Sequence, residues 1–379
     1  MIKFVIAPDS FKGTMSSQEI CNIIETCILA LEPDAMVTKV PVADGGEGLV
    51  DAYLSRLGGT RYELEVTGPL FQSVTACWAM LADEKTAIIE MAAAAGLPLV
   101  ESAQRNPELT TTVGVGELIM DALAKGAQKI ILGLGGSATN DGGIGLAHAL
   151  GYRFLDLSGN ELLPIGANLV KIARIVPPAA KSILTDVMVE AACDVNNVLF
   201  GMSGAACIFS PQKGADPAMV QRLDAGLRNL AVRISADLGA DVETVAGGGA
   251  AGGLGAGVIA FLGGTLRPGI ELLLDTINFN QIIQEADFVI TGEGHMDGQS
   301  LSGKTPVGIA RRARQYNIPV IGIAGSLGND LDPLYAEGFS ALFSTIRDLN
   351  TLEATLARSR EDLAETAKAV VRLIQASRQ

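Results

Sequence analysis

The stretch Met1-Ile2-Lys3-Phe4-Val5-Ile6-Ala7-Pro8-Asp9 opens the chain with an apolar run that stops at a proline and a carboxylate. So short a run, bounded by turn residues, reads as a buried strand of a parallel sheet, Ile2 to Ala7. Ser16-x-x-Glu19 follows a loop and has the spacing of a capping box, so it starts a helix that buries Ile20, Ile23, Ile24, Cys27, Ile28 and Leu31. Met36 to Val42 forms a second strand, Asp44-Gly45-Gly46-Glu47 caps a second helix to about Leu57, and Gly58-Gly59 ends it. The order βαβα predicts an α/β protein.

At the far end, Phe288-Val289-Ile290, Val320-Ile321-Gly322-Ile323 and Ala341-Leu342-Phe343 read as strands. They alternate with helices near 306–315 and 331–337 and a long one at 351–376. The last helix turns Leu352, Leu356, Leu363, Val370, Leu373 and Ile374 inward, and Arg358, Arg360, Glu361, Asp362, Glu365 and Lys368 outward. Each chain end supplies about three strands, fewer than the four to six usual in a sheet, so the ends are expected to pair with each other around an inserted middle. That middle differs in texture from about 65 to 280. It contains the helix entry Thr110-Thr111-Thr112-Val113-Gly114-Val115-Gly116-Glu117, a strand Lys129 to Leu134 feeding a glycine turn, and the run Gly247-Gly248-Gly249-Ala250-Ala251-Gly252-Gly253.

Composition excludes several classes. Lys+Arg total 28 against Asp+Glu 42, a net charge of −14, and no basic run interrupts the chain, so a nucleic-acid backbone would be repelled. Hydrophobic residues make up 48% and charged ones only 18%, which implies large cores. The 44 glycines cluster after apolar runs, where loops approach ligands. Apolar runs break well before the roughly 20 residues of a membrane span, and the first is too short for a secretory signal. The five cysteines are odd in number and show no metal spacing, which fits reduced core thiols in a cytoplasmic protein.

Two familiar nucleotide patterns occur, each in the wrong setting. Gly298-Gln299-Ser300-Leu301-Ser302-Gly303-Lys304-Thr305 spells a P-loop, but Thr291 to Asp297 intervene after the strand, and Pro306 disfavours helical geometry at Thr305. Gly133, Gly135 and Ala138 follow a strand, with Asp156 some twenty residues on, as in a dinucleotide site. Asn140, Asp141, Gly142, Gly143 and Gly145, all poor helix formers, occupy the first turns of the helix that site requires. An NAD-dependent 2-hydroxyacid dehydrogenase is the enzyme alternative this leaves, and a two-lobed small-molecule binding protein the non-catalytic one.

The remaining polar clusters carry the chemistry. Asp9-Ser10-Phe11-Lys12-Gly13 ends the first strand, where open α/β sheets place ligands, and Asp44-Gly45-Gly46-Glu47-Gly48 repeats the arrangement after the second. Ser137, Thr139, Asn140 and Asp141 form either a capped turn or a pocket for an anion, a hydroxyl or a hydrated metal. Asp194 can serve as general base or metal ligand, Lys213 can hold an anionic substrate or phosphate, and Asp297 with Lys304 offers a second acid–base pair. His148 sits in an apolar helix setting, and the two histidines suggest neither a zinc site nor a hydrolase triad. Glycine turns, strand-end carboxylates and isolated lysines suit phosphoryl transfer, whose demands are electrostatic.

Taken together, Ala7 to Gly13, Ala43 to Gly48, Gly133 to Gly143, Cys193-Asp194-Val195, Pro211 to Ala215, and Thr291-Gly292-Glu293-Gly294 with Asp297, Gln299, Gly303, Lys304 and Pro306 resemble the bacterial type of glycerate kinase, nearly end to end and in order. The resemblance implies ATP-dependent phosphorylation of D-glycerate at the 2-hydroxyl, with Mg²⁺, by a monomer or homodimer. It also implies a Rossmann-like parallel-sheet domain, 1–64 plus 283–379, an inserted α/β domain, 65–282, and an active site in the cleft. In that frame Asp194, Lys12 and Lys304 are catalytic. Asp9, Ser10, Asp44, Gly45, Gly46, Ser137, Asn140, Asp141 and Lys213 bind substrate, and Gly248, Gly249, Gly252, Gly292, Glu293 and His295 bind nucleotide or phosphate. Asp297, Asp44 and Asp141 are the metal candidates. The family usually carries Arg where this chain has His295, which makes the charge there pH-dependent if that residue touches phosphate.

Overall fold

The computed structural model describes every residue except Lys12, 43–47, 179–183, Thr185, 299–304, Asn350 and Gln379. The chain divides into two compact units, Met1–Asp44 with Ile270–Gln379, and Gly45–Gly269. It is an α/β protein with a parallel sheet drawn from both chain ends and a mixed sheet from the middle.

In the first unit the strands lie in the order Phe339–Ser344, Val320–Ala324, Phe288–Thr291, Lys3–Ile6, Met36–Lys39, all parallel. The chain runs outward from Lys3–Ile6 to Met36–Lys39, then resumes on the other side of its first strand. The order therefore reverses between Lys3–Ile6 and Phe288–Thr291, and an open sheet offers its ligand crevice at the carboxyl ends of such strands. Phe4 stacks on Phe288, with ring centroids 5.7 Å apart.

Helix Ser17–Leu31 covers this sheet and carries the capping box. Ser16 Oγ accepts from Glu19 N at 3.2 Å, and Glu19 Oε2 accepts from Ser16 N at 2.9 Å. The final helix, Leu352–Ser377, shares its core through Leu363, Ala367, Val370, Val371 and Ile374. The inward stripe read from sequence is corrected here: Leu352, Leu356 and Leu373 are exposed, and Asp362 is buried with Arg358 3.4 Å away. The stripe that meets the core spaces 363, 367, 370, 371 and 374 along one side, and residue 373 falls off it.

In the second unit the order is Thr265–Arg267, Met188–Ala192, Lys129–Gly133, Thr86–Glu90, Ser73–Leu81, Gly59–Thr67. The first four strands are parallel, Ser73–Leu81 runs against them, and Gly59–Thr67 pairs antiparallel with Ser73–Leu81. Trp78, fully buried, anchors the core under this sheet, stacks on Tyr62 and donates its indole N–H to Asp121 at 2.8 Å. Helix Leu49–Leu57 ends at Gly58, whose φ of 65° is left-handed. Among the described residues no helix is long and apolar enough to cross a membrane.

The Glu19 carboxyl is held down at about 2, first by the Ser16 backbone N–H, then by Arg360 of the final helix. A carboxyl depressed on folding contributes stability above its unfolded value, and that contribution is lost as pH falls toward about 2. Glu19→Gln is expected to flatten the acid side of the stability profile below pH 4.5, measured as the urea midpoint at successive pH values.

Candidate active site

In the first unit the polar residues collect where the strand order reverses. Asp9 N donates to Gly292 O at 2.8 Å, and Thr291 Oγ1 donates to Ala7 O at 2.7 Å, so the loops after Lys3–Ile6 and Phe288–Thr291 are joined. Asp9 is buried, and its Oδ1 accepts from Ser10 N at 2.6 Å. Gly292 allows the approach of the next strand, because a Cβ there would sit 1.7 Å from Ile323 O. Glu293 is buried, and its carbonyl accepts from Gly325 N at 3.1 Å. The exposed His295 has Nδ1 2.7 Å from Ser326 Oγ and Nε2 3.4 Å from Asp297 Oδ2. Asp9, Ser10, Gly292 and Glu293 thus meet at one edge, and His295 and Asp297 meet on one loop. Sequence reading missed Ser326 and Gly328, whose missing Cβ leaves room for Asp297 and His295. Their signal was Gly325-Ser326-Leu327-Gly328 after a strand, the same glycine-rich strand end used elsewhere.

Lys12, Asp44, Gly45, Gly46 and Lys304, and the Gln299–Lys304 part of the P-loop pattern, lie outside the described residues. The strand before that pattern ends at Thr291, and the next helix is Thr305–Arg314.

In the second unit Glu90, Gly133, Ala192 and Arg267 fall in register at the carboxyl edge of the parallel strands. Asp194 follows this edge, exposed, with Oδ1 accepting from Gly269 N at 2.9 Å. Glu90 Oε1 accepts from Val50 N at 2.8 Å, near the start of helix Leu49–Leu57. Arg267 lies 2.9 Å and Lys129 2.6 Å from the Glu190 carboxylate. Burial raises the Glu190 carboxyl, but these two cations outweigh it and the net shift is downward. Glu90, Arg267 and Glu190 carried no motif and were missed.

The Ser137–Asp141 turn is a buried polar knot. Both Asp141 oxygens are occupied: Oδ2 accepts from Thr112 N at 2.8 Å, Thr112 Oγ1 at 2.8 Å and Gly145 N at 3.2 Å, and Oδ1 from Gly143 N at 3.1 Å. Burial pushes the Asp141 carboxyl up against these donors. For Asp141 to hold Mg²⁺, as the resemblance implies, these donors would first have to be displaced. Among the described residues no three His, Cys, Asp or Glu side chains gather as a metal site. Lys213 Nζ donates to Ser137 Oγ and Thr139 O, both at 2.7 Å, and Asn140 Oδ1 accepts from Ser210 Oγ at 2.9 Å.

In the glycine run expected to cradle phosphate, the N–H groups of Gly248 and Gly249 turn to the protein. Gly248 N donates to Val245 O at 3.0 Å and Gly249 N to Asn197 O at 2.9 Å. Gly252, at φ 68°, lies where a Cβ would stand 2.0 Å from Thr139 O. Gly249 packs against the 197–205 segment and Gly252 against Thr139 and Asn140, while Gly248 meets only Val242 and Val245 of its own segment. The dinucleotide alternative loses its basis too. Helix Ile144–Ala149 starts only after the 134–143 loop, and strand Arg153–Leu155 pairs with Arg174–Val176 outside the six-stranded sheet. Asp156 accepts from Ser158 N and Asn160 N in its own turn.

Strand-end carboxylates, close glycine turns and a buried lysine, without clustered thiols or histidines, are the equipment of an α/β phosphotransferase. The pattern of the glycerate kinase family matches residues 4–375. The chain is 47% identical over 367 residues to a glycerate kinase of Bacillus cereus (97% of this chain, 96% of that protein). It is 45% identical over 367 residues to the glycerate 2-kinase of Escherichia coli K12 (97% and 96%). A crystal structure of a protein assigned as glycerate kinase 2 from Salmonella typhimurium LT2 superposes with a TM-score of 0.89 at 46% identity, covering 100% of this chain and 99% of that one. The chain belongs to the glycerate kinase family.

Gly252→Ala is expected to combine left-handed strain with overpacking against Thr139, a loss of about 2–4 kcal/mol. Gly263→Ala has a similar φ but nothing within 4 Å of the added carbon, so only the strain of about 1 kcal/mol remains. Urea midpoints of the two variants check the difference.

Proposed function

We propose that the protein transfers the γ-phosphoryl group of ATP to the 2-hydroxyl of D-glycerate, giving 2-phosphoglycerate and ADP. The observation that carries this reading is the 45% identity, over 97% of the chain, to a glycerate 2-kinase. Asp194, exposed beyond the carboxyl end of its strand and steadied by Gly269 N, is the general base that takes the hydroxyl proton as the oxygen attacks phosphorus. Lys12 and Lys304 neutralise the transferring phosphate oxygens, a role that rests on the resemblance of their motifs. Asp9 and Ser10 orient substrate, and Glu293 and His295 lie at the phosphate end.

Mg²⁺ in kinases is held by one or two carboxylates together with phosphate oxygens. Asp297, with Glu293 on the same loop and Asp44, would hold the ion, which supplies neutralisation of phosphate charge. Five free cysteines fit a cytoplasmic enzyme, acting as a monomer or homodimer.

The test is ADP release with MgATP and D-glycerate, L-glycerate or glycolate, with the product resolved as 2- or 3-phosphoglycerate by ³¹P NMR. Turnover on D-glycerate to the 2-phosphate is expected, and a folded protein inactive on every hydroxy acid would refute the reading. Asp194→Asn should lower kcat by about 10²-fold or more with an unchanged melting temperature. A variant of near wild-type rate would move the base to Asp297 or Asp44.

A further inference from the structure

We infer that Lys213, Ser137 and Asn140 form the subsite for the substrate carboxylate, and that glycerate binds there together with one proton, which Lys213 takes up. This deepens the kinase reading above and rests on it.

The argument begins from a missing counter-charge. Lys213 is 2% exposed, yet the two acceptors of its ammonium, Ser137 Oγ and Thr139 O, are neutral. The charged groups on every segment packed around it are committed elsewhere or are cationic. Asp141, on the 137–141 turn, has its oxygens filled by Thr112, Gly143 and Gly145. On the 105–112 segment, Arg105 is a cation whose backbone lies against Gly214, and Glu108 is taken by both ends of the Arg222 fork at 2.7 and 2.9 Å. On its own segment, Asp216 caps helix Pro217–Leu238 through Met219 N at 2.8 Å. Among the described residues no carboxylate stands within ion-pair distance of Lys213.

A second buried donor lacks an acceptor in the same knot. Asn140 is 0% exposed, its Oδ1 is used by Ser210 Oγ, and its Nδ2 has no partner among the described residues. Lys213 N donates to Ser210 O at 3.0 Å, so Asn140, Ser210 and Lys213 are tied into one turn. Gly136, Gln212 and Gly214 flank the knot and are exposed, which puts it one residue below the surface. An ammonium with a third N–H, a carboxamide N–H and a hydroxyl lack two acceptor atoms and one negative charge, and a carboxylate brings all three. A neutral polyol brings none of the charge, so the subsite selects hydroxy acids over glycerol.

Desolvation without a counter-ion pushes Lys213 down to about 7, with Asp141 offsetting only part of it. A bound carboxylate raises it again. Below pH 7 the proton is already present, and above pH 7 it must be taken from solution as the ligand enters.

The test is titration calorimetry of D-glycerate into the full chain holding saturating MgADP, in two buffers of different ionisation enthalpy. Uptake approaching one proton at pH 8 and close to none at pH 6 is expected. In turnover, KM for glycerate should climb toward tenfold per pH unit above 7 while kcat at saturation does not follow it. Lys213→Met should abolish both the uptake and the slope and narrow the preference for glycerate over glycerol. Wild-type binding and turnover without uptake at pH 8 would overturn the subsite while leaving the kinase reading intact, as would uptake that accompanies MgATP alone. A wild-type protein that neither binds nor phosphorylates D-glycerate would bring down both.

Discussion

Asp141 is a fully buried carboxylate, and most of the second unit's polar architecture follows from satisfying it. A buried ionisable side chain persists only where donors replace its hydration, and here they come from the entry of helix Val113–Ala124 and from the turn before helix Ile144–Ala149. Thr112 is drawn in twice, and its hydroxyl also accepts from Leu146 N at 2.9 Å. The turn that presents these N–H groups needs Gly142 and Gly143 at φ 62° and 78°, and Gly142 N in turn donates to Gly252 O at 3.0 Å. One carboxylate thus fixes two helix starts and seats the glycine run. The side chains of Ser137 and Asn140 inherit that rigidity, which is what a binding group needs if little ordering is left to be done when ligand arrives.

Each unit places its polar residues at the carboxyl ends of parallel strands for the same geometric reason. Parallel strands all finish at one edge, so the loops that follow are neighbours even when the strands are far apart in sequence. Asp9 and Gly292 meet this way in the first unit, and Glu90, Gly133 and Ala192 align this way in the second. Most of the polar groups stand on the loops that follow these edges or, like Glu90 and Arg267, on the last residue of a strand.

What could be read from the sequence is what depends on near neighbours along the chain. Phe4-Val5-Ile6 stopped by Pro8 is a strand in any context, and Ser16 with Glu19 makes its capping box within four residues. Pairing of the two chain ends followed from counting strands. Asp9 with Ser10, and Gly292 with Glu293, were each legible as a loop following an apolar strand, but not as neighbours of one another. Contacts between distant segments were not legible. The inward face of Leu352–Ser377 depends on where helix Ser17–Leu31 meets it, and periodicity alone misplaced Leu352, Leu356 and Leu373. The glycines at 247–253 announce a close approach without naming what approaches, and the partners are the backbones of Thr139 and Val198. Asp141 looks like any turn aspartate until Thr112 is found beside it.

The insertion of the second unit, in chain order, between the strands of the first unit's sheet has a consequence during synthesis. Lys3–Ile6 and Met36–Lys39 leave the ribosome early, yet the strand that flanks Lys3–Ile6 on its other side, Phe288–Thr291, follows only after the whole of Gly45–Gly269. At 5–20 residues per second that interval is on the order of 10–50 s. The second unit is contiguous and can fold as it emerges, while an apolar hairpin-length fragment containing Phe4, Val5 and Ile6 waits with an unpaired edge. Such an edge is a template for wrong pairing, so the interval before Phe288–Thr291 is made is the stage at which this sheet is most exposed to it.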